Sequence, residues 1–210
     1  MRLILGGPGC GKTTRLLEIL EGELSRGVDS REIAFLTFTR AAAHEARDRA
    51  AEKFGLDPEE ELPWFRTIHS LAYHRLEITR DEVMDRRDWE EFGTLVGYPL
   101  SGNFVSFEDS LPNGGKGLMM LRILEYASTC MLSLREAWYQ LGEAVDWWEL
   151  DWFDKTYARY KEDSTKIDFS DMLHRYVAEG EALDVKVAVV DEAQDLTRAQ
   201  WAAVHKAFGR

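Results

Sequence analysis

The sequence predicts an α/β fold: a parallel sheet flanked by helices, with an all-helical insertion in the middle of the chain. Three observations predict it. At the N-terminus an apolar stretch runs through a glycine-rich loop into a helix: Leu3-Ile4-Leu5-Gly6-Gly7-Pro8-Gly9-Cys10-Gly11-Lys12-Thr13-Thr14. Short apolar runs then alternate with helical patterns up to residue 76, and again from residue 167. Between 77 and 166 no convincing β pattern remains, only helical periods.

Taken in order, residues 2–6 make the first strand and about 13–26 an amphipathic helix ended by Gly27. The run 32–38 is a second apolar strand. Thr39 is placed to N-cap a helix from Arg40 to about Lys53, closed by Gly55. An acidic, proline-containing loop from Asp57 to Glu61 leads to a short β-prone segment, 64–68, and to a helix over 69–76. Thr79-x-x-Glu82 has the form of a capping box, and 88–96 is helical in period. Gly97 to Gly117 is a long stretch punctuated by glycine and proline. Residues 118–131 are helical, and Ser133-x-x-Glu136 caps another helix. The segment 146–161 is aromatic-rich. Leu150, Phe153, Tyr157 and Tyr160 recur at helical spacing, and with Trp138, Trp147, Trp148 and Trp152 they read as the core of a small subdomain. Afterwards a helix spans 168–178 and a buried strand 185–190. The strand runs into Asp191-Glu192-Ala193-Gln194-Asp195, and Thr197-x-x-Gln200 caps a last helix. The chain thus divides into 1–76 with 167–210, and an insertion of 77–166.

Composition excludes several classes. Two cysteines, Cys10 and Cys130, make no disulfide framework and suit a reducing, cytoplasmic setting. No apolar run reaches the length of a membrane span, so no membrane partner is expected. The five histidines show no metal-ligand spacing with either cysteine. A net charge of −12, taken as a sum, argues against nucleic acid. Its distribution reopens that class. Residues 77–166 hold 18 acidic and 10 basic side chains, whereas Arg40, Arg47, Arg49, Lys53, Arg66 and Arg75 are scattered through the region before them.

The chemistry is concentrated at two places. Gly6, Gly11, Lys12 and Thr13 fit the phosphate-loop pattern G-x-x-x-x-G-K-[ST] without a mismatch. The glycines let the backbone of Gly6, Gly7, Pro8, Gly9, Cys10 and Gly11 curl so that its N–H groups converge on a polyphosphate. The helix starting at Lys12, Thr13 and Thr14 adds its positive dipole end. Lys12 would reach the β- and γ-phosphates of a bound nucleoside triphosphate, and the Thr13 hydroxyl would hold Mg²⁺. The second place is the strand that ends in two carboxylates. A phosphate-loop protein brings Asp191 to Mg²⁺ in this way, and Glu192 orients and deprotonates an attacking water, which points to hydrolysis rather than binding alone. Both places lie at carboxyl ends of parallel strands, so they can meet.

Asp191-Glu192-Ala193-Gln194-Asp195 resembles motif II of superfamily 1 DNA helicases of the UvrD/Rep type. Three further segments agree in order. Residues 36–43, Leu-Thr-Phe-Thr-Arg-Ala-Ala-Ala, resemble motif Ia. Residues 66–72, Arg-Thr-Ile-His-Ser-Leu-Ala, resemble motif Ib. Residues 167–173, Ile-Asp-Phe-Ser-Asp-Met-Leu, resemble the segment ahead of motif II. The resemblance implies the first RecA-like motor domain of an ATP-dependent helicase, with ATP and Mg²⁺ at the phosphate loop and a helical subdomain inserted after motif Ib. It implies single-stranded DNA along motif Ia and motif Ib, with Phe38 stacking on a base. Thr37, Thr39 and Arg40, and Thr67, His69 and Ser70, would lie on the backbone. On its residues alone, Phe38 has the alternative of a core aromatic at a strand end, and Arg40 that of a solvated first-turn residue. The resemblance further implies that Gln194 links the nucleotide and DNA sites, and that Asp168 and Phe169 buttress motif II.

The departures carry expectations too. The family's glutamine motif, which reads adenine upstream of the phosphate loop, has no room before Met1, so selectivity for ATP is not specified by it. Thr14 stands where the family commonly has arginine. The family's next motif and its second RecA-like domain, with the arginine fingers, lie beyond Arg210. The 210 residues are therefore expected to be an N-terminal piece of a longer protein and nearly inactive alone. Two other classes fit parts of the pattern: a phosphate-loop nucleotide kinase, and a non-catalytic nucleotide- and DNA-binding module.

Overall fold

The computed structural model describes residues 4–6, 9–100, 115–141 and 145–209. They fall into two compact units: Met1–Arg75 with Glu179–Leu196 and Trp201–Arg210, and Leu76–Ala178 with Thr197–Gln200.

The first unit is built on three parallel strands, β1 (Ile33–Thr37), β2 (Phe65–Thr67) and β3 (Val187–Val190), in the order β2-β1-β3. The central strand pairs Phe35 with both Phe65 and Val189, and all five of its residues are buried, as expected for a parallel strand covered on both faces. Phe35 and Phe65 stack across the ladder with ring centroids 5.6 Å apart. The helices are α1 (Lys12–Ser25), α2 (Arg40–Phe54) and α3 (Ile68–Arg75). Leu17 and Leu20 of α1 join Ala46 and Ala50 of α2 in one core with β1. The small alanines allow α2 a close approach, which explains a helix of low overall apolarity carrying four buried residues. Thr39 caps α2, its hydroxyl accepting the Ala42 N–H at 3.2 Å.

The α/β class, the parallel pairing and the strands before Phe38 and Asp191 are as the alternation predicts. The expected first strand differs. Residues 1–3 lie outside the described residues, while Ile4–Gly6 has no regular structure and Leu5 is 83% exposed. An apolar run becomes a strand only through a neighbour's hydrogen bonds, and no ladder reaches Ile4–Gly6 among the described residues.

The second unit is helical: α4 (Arg86–Val96), α5 (Lys116–Thr129), α6 (Leu134–Leu141), α7 (Trp147–Ser164) and most of α8 (Phe169–Glu179). An isolated parallel bridge joins Val83 to Ile167. The core packs Phe92 against Phe153 and Tyr157, with ring centroids 5.2 and 5.0 Å apart. Gly93 permits a close approach, since a Cβ there would meet the Tyr98 carbonyl oxygen at 2.7 Å. Local signals set the helix starts. Asp85 accepts from the N–H groups of Arg87 and Asp88, Asp146 from Trp148, and Ser133 and Glu136 bond reciprocally across the first turn of α6. Thr79–Glu82 does form a capping box, but over a single 3-10 turn, Arg80–Glu82. Of the long stretch 97–117, residues 101–114 lie outside the described residues, and α5 begins before its expected start.

The aromatic cluster divides. Leu150, Phe153 and Tyr157 are buried on one face of α7, whereas Trp148 and Trp152 are 76% and 47% exposed. They lie off the i, i+3, i+7 stripe and do not belong to the core. A last helix, α9 (Arg198–Ala207), is capped by Thr197, which bonds reciprocally with Gln200 in its first turn. Among the described residues no helix is long and apolar enough to cross a membrane.

Candidate functional site

The glycine-rich loop reaches α1 through two left-handed residues, Gly9 (φ +72°) and Gly11 (φ +79°). A side chain at either would be strained. Gly11 stands at the N-cap of α1, no side chain caps the helix, and its first turn holds no acidic residue. The first-turn amides and the dipole are thus left for an anion. A Cβ on Gly6 would run into Cys10 Sγ, so the loop is closed on itself at that point. Gly7 and Pro8 lie outside the described residues. Cys10 and Thr14 are exposed, and Lys12 and Thr13 half-buried.

The ladder between β1 and β3 continues one step, with the Asp191 N–H donating to Leu36 O at 2.8 Å, and this delivers the acidic pair to the loop. Thr13 Oγ1 donates to Asp191 Oδ2 at 2.8 Å, joining residues 178 apart in sequence. Asp191 is 4% exposed, and its Oδ1 accepts the Glu192 N–H at 3.0 Å. Lys12 Nζ donates to Gly6 O at 3.2 Å and lies 3.9 Å from Glu192 Oε1. Glu192 has φ +49°, a left-handed backbone that a glutamate adopts at a cost, and it precedes the 3-10 turn Ala193–Asp195. Gln194 Nε2 donates to Glu192 Oε2 at 2.5 Å and to Asp195 Oδ2 at 3.2 Å.

The four side chains offer one cation, one hydroxyl and two carboxylates around the mouth of an anion-binding loop. Among the described residues no group of three His, Cys, Asp or Glu could hold a metal ion. The Thr13–Asp191 pair nevertheless fits Mg²⁺. That ion takes hard oxygen donors and is held by one or two protein groups with phosphate oxygens and waters, rather than by an all-protein cage.

The residues expected along the nucleic acid lie at the carboxyl ends of the neighbouring strands β1 and β2, where Thr37 and Thr67 are register partners. Both threonines are buried, and Thr67 Oγ1 accepts the Ser70 N–H at 3.1 Å, starting α3. Phe38 is 36% exposed, just past the strand, which removes the alternative of a core aromatic. Thr39 and Arg40 are exposed at the start of α2. Burial, reinforced by Arg40, pushes the half-buried His69 down to about 4, so its ring is neutral near pH 7.

Asp168, expected to buttress Asp191–Asp195, instead spends its hydrogen bonds in the helical unit. It accepts from Tyr157 OH at 2.8 Å and from Lys161 Nζ at 2.9 Å. Of Arg47 and Arg66, read in the sequence as scattered surface charges, Arg66 lies beside Ser70 and Arg47 on α2 stands near enough to act on its charge. The available signal was the seven-residue step from Arg40 to Arg47 along α2.

A family model described as UvrD/REP helicase N-terminal domain matches residues 1–210. No curated protein matches the chain.

Proposed function

The chain belongs to the UvrD/REP helicase N-terminal domain family, and from that premise we propose that it is the RecA-like, ATP-binding and hydrolysing motor domain of a single-stranded-DNA translocase. Residues 1–76 and 167–210 form the motor, and 77–166 a helical subdomain inserted in it. The observation that carries this reading is the 2.8 Å contact between Thr13 and the buried Asp191, which joins the phosphate loop to the acidic strand end.

ATP seats its phosphates on the first-turn amides of α1 and on Lys12. In the described geometry Lys12 Nζ sits between Gly6 O and Glu192, and it turns to the β- and γ-phosphates when nucleotide arrives. Thr13 and Asp191 would hold Mg²⁺, which would supply positive charge beside the phosphate oxygens. Glu192 orients and deprotonates the attacking water. Gln194, through its bond to the Glu192 carboxylate, couples that base to the rest of the motor. Single-stranded DNA follows Phe38, Thr39 and Arg40, then His69 and Ser70. A second RecA-like domain completes the site by supplying an arginine. Among the described residues, none of those joined at the acidic pair is an arginine, a role worth on the order of 10³–10⁵ in rate.

The test is the product formed by the chain as it stands. Phosphate release from ATP is expected to be slow, to rise with oligo(dT), and to occur without strand unwinding. Transfer of the γ-phosphoryl group to a nucleoside monophosphate would identify a kinase and overturn the reading.

A further inference from the structure

Arg40, His44 and Arg47 follow one another at helical spacing on α2, so the face that begins at Arg40 continues two turns along the helix. Arg47 is largely buried at the far end. Its Nη2 lies 3.1 Å from His44 Nδ1, and its Nε is buried without a hydrogen-bond partner, Asp48 Oδ1 standing 3.7 Å away. Arg66 comes from β2. Its Nε donates to Pro63 O at 2.6 Å and its Nη1 to Ser70 Oγ at 3.4 Å, next to the expected DNA track. Burial lowers the Arg66 pKa, Glu59 raises it and Arg47 lowers it, so two guanidinium groups and one carboxylate share a partly desolvated corner.

Glu59 belongs to the acidic loop 57–61, and its Oε1 accepts from Arg47 Nη1 at 2.7 Å while most of its side chain faces solvent. The loop is held in shape independently. Asp57 Oδ1 accepts the N–H groups of Glu59 and Glu60 at 2.9 and 2.8 Å, and Arg31 Nε donates to Glu60 O at 3.2 Å. A carboxylate and a phosphodiester present the same kind of oxygen acceptors to a guanidinium fork. Here Arg47, with an unmet donor, is covered by a single exposed carboxylate, and the positioned Arg66 stands within the field of both.

We propose that Arg47 and Arg66 form a seat for a backbone phosphodiester of single-stranded DNA, one step beyond Ser70, and that Glu59 fills this seat until DNA displaces it. The inference rests on the DNA-translocase reading above. It makes the acidic loop an intramolecular competitor that lowers affinity for DNA without touching the nucleotide site.

The experiment is fluorescence anisotropy of labelled oligo(dT) with the full chain over a series of salt concentrations. Glu59→Gln is expected to tighten binding by about threefold to tenfold, the scale of one charge-assisted contact. Glu60→Gln removes the same charge from the same loop without removing the bond to Arg47, and is expected to change little. Arg47→Gln is expected to weaken binding and to cancel the gain from Glu59→Gln. It should also make the slope of log K against log salt shallower by about 0.7, the contribution of one single-strand phosphate contact. If Arg47→Gln does not fold, the comparison of Glu59→Gln with Glu60→Gln decides alone. Equal tightening by both glutamate variants, or no change from Glu59→Gln in a chain that binds oligo(dT), overturns the inference. A folded chain that binds ATP·Mg²⁺ but no oligo(dT) overturns the DNA reading itself, and this inference with it.

Discussion

Asp191 and Glu192 are adjacent in sequence yet occupy different surroundings, and the division of labour follows from that. Asp191 is buried, bonded to the Thr13 hydroxyl and to the Glu192 N–H, and so is held in one orientation. Glu192 reaches toward solvent on a left-handed backbone, its carboxylate steadied by the Gln194 amide. The buried partner suits holding and the accessible one suits proton transfer to water. The same contrast applies to His69. Its pKa is pushed from 6.5 to about 4, by burial and then by Arg40, so on the DNA-translocase reading it would meet a phosphate as a neutral hydrogen-bonding group and not as a cation. His69→Gln should therefore leave the salt dependence of oligo(dT) binding unchanged near pH 7, and a shallower slope would contradict a neutral ring. The sign for stability follows from linkage. Between about pH 6.5 and 4 the unfolded chain binds a proton at His69 that the folded chain refuses, so stability falls as pH drops through that window. Urea unfolding at pH 7 and pH 5 should show a smaller acid loss in His69→Gln than in the parent chain.

At the scale of elements, the helical unit holds a charged network between α7 and α8. Lys161 Nζ bonds Asp168 at 2.9 Å and Asp171 at 2.5 Å and lies 4.3 Å from the Tyr157 ring centre, while Tyr157 OH donates to Asp168. Burial opposes the charge on Lys161, but Asp168 and Asp171 outweigh it and raise its pKa above 10.5. Burial, with Asp168 beside it, holds the Tyr157 phenol well above 10.0. In both cases the folded state keeps a proton that the unfolded state releases. The stabilisation is complete below pH 10 and is lost as pH rises above it. Lys161→Met should cost about 1–3 kcal/mol by leaving one largely buried and one part-exposed carboxylate without their cation, and should flatten the alkaline decline. Denaturant unfolding of both proteins at pH 8 and pH 10.5 checks this, and an equal decline in the two would contradict it. Elements with local causes were legible in the sequence. Thr39 as a cap and the Ser133–Glu136 pair each need only neighbours in the chain. Elements with distant causes were less so. The run 2–6 reads as a strand, but strand formation at Ile4–Gly6 depends on a ladder that lies elsewhere. The aromatics of α7 read as one cluster, though packing sends Trp148 and Trp152 outward.

At the scale of the whole chain, the meeting of the phosphate loop with the acidic strand end is legible because the motif dictates backbone geometry at the point where it is written. The glycines before Lys12 and the carboxylates after β3 predict their own positions, and a parallel sheet brings their strand ends together. The Arg47–Glu59–Arg66 corner is not legible, because α2, a loop and β2 must assemble before the charges meet. On the proposed function, the loop before α1, with Asp191 and Glu192, binds a nucleoside triphosphate with Mg²⁺. The most direct test is calorimetric titration of the chain with ATP·Mg²⁺, alongside Lys12→Ala. Binding by the parent chain and its loss in a folded Lys12→Ala variant is the predicted result; unchanged affinity in Lys12→Ala would contradict the account.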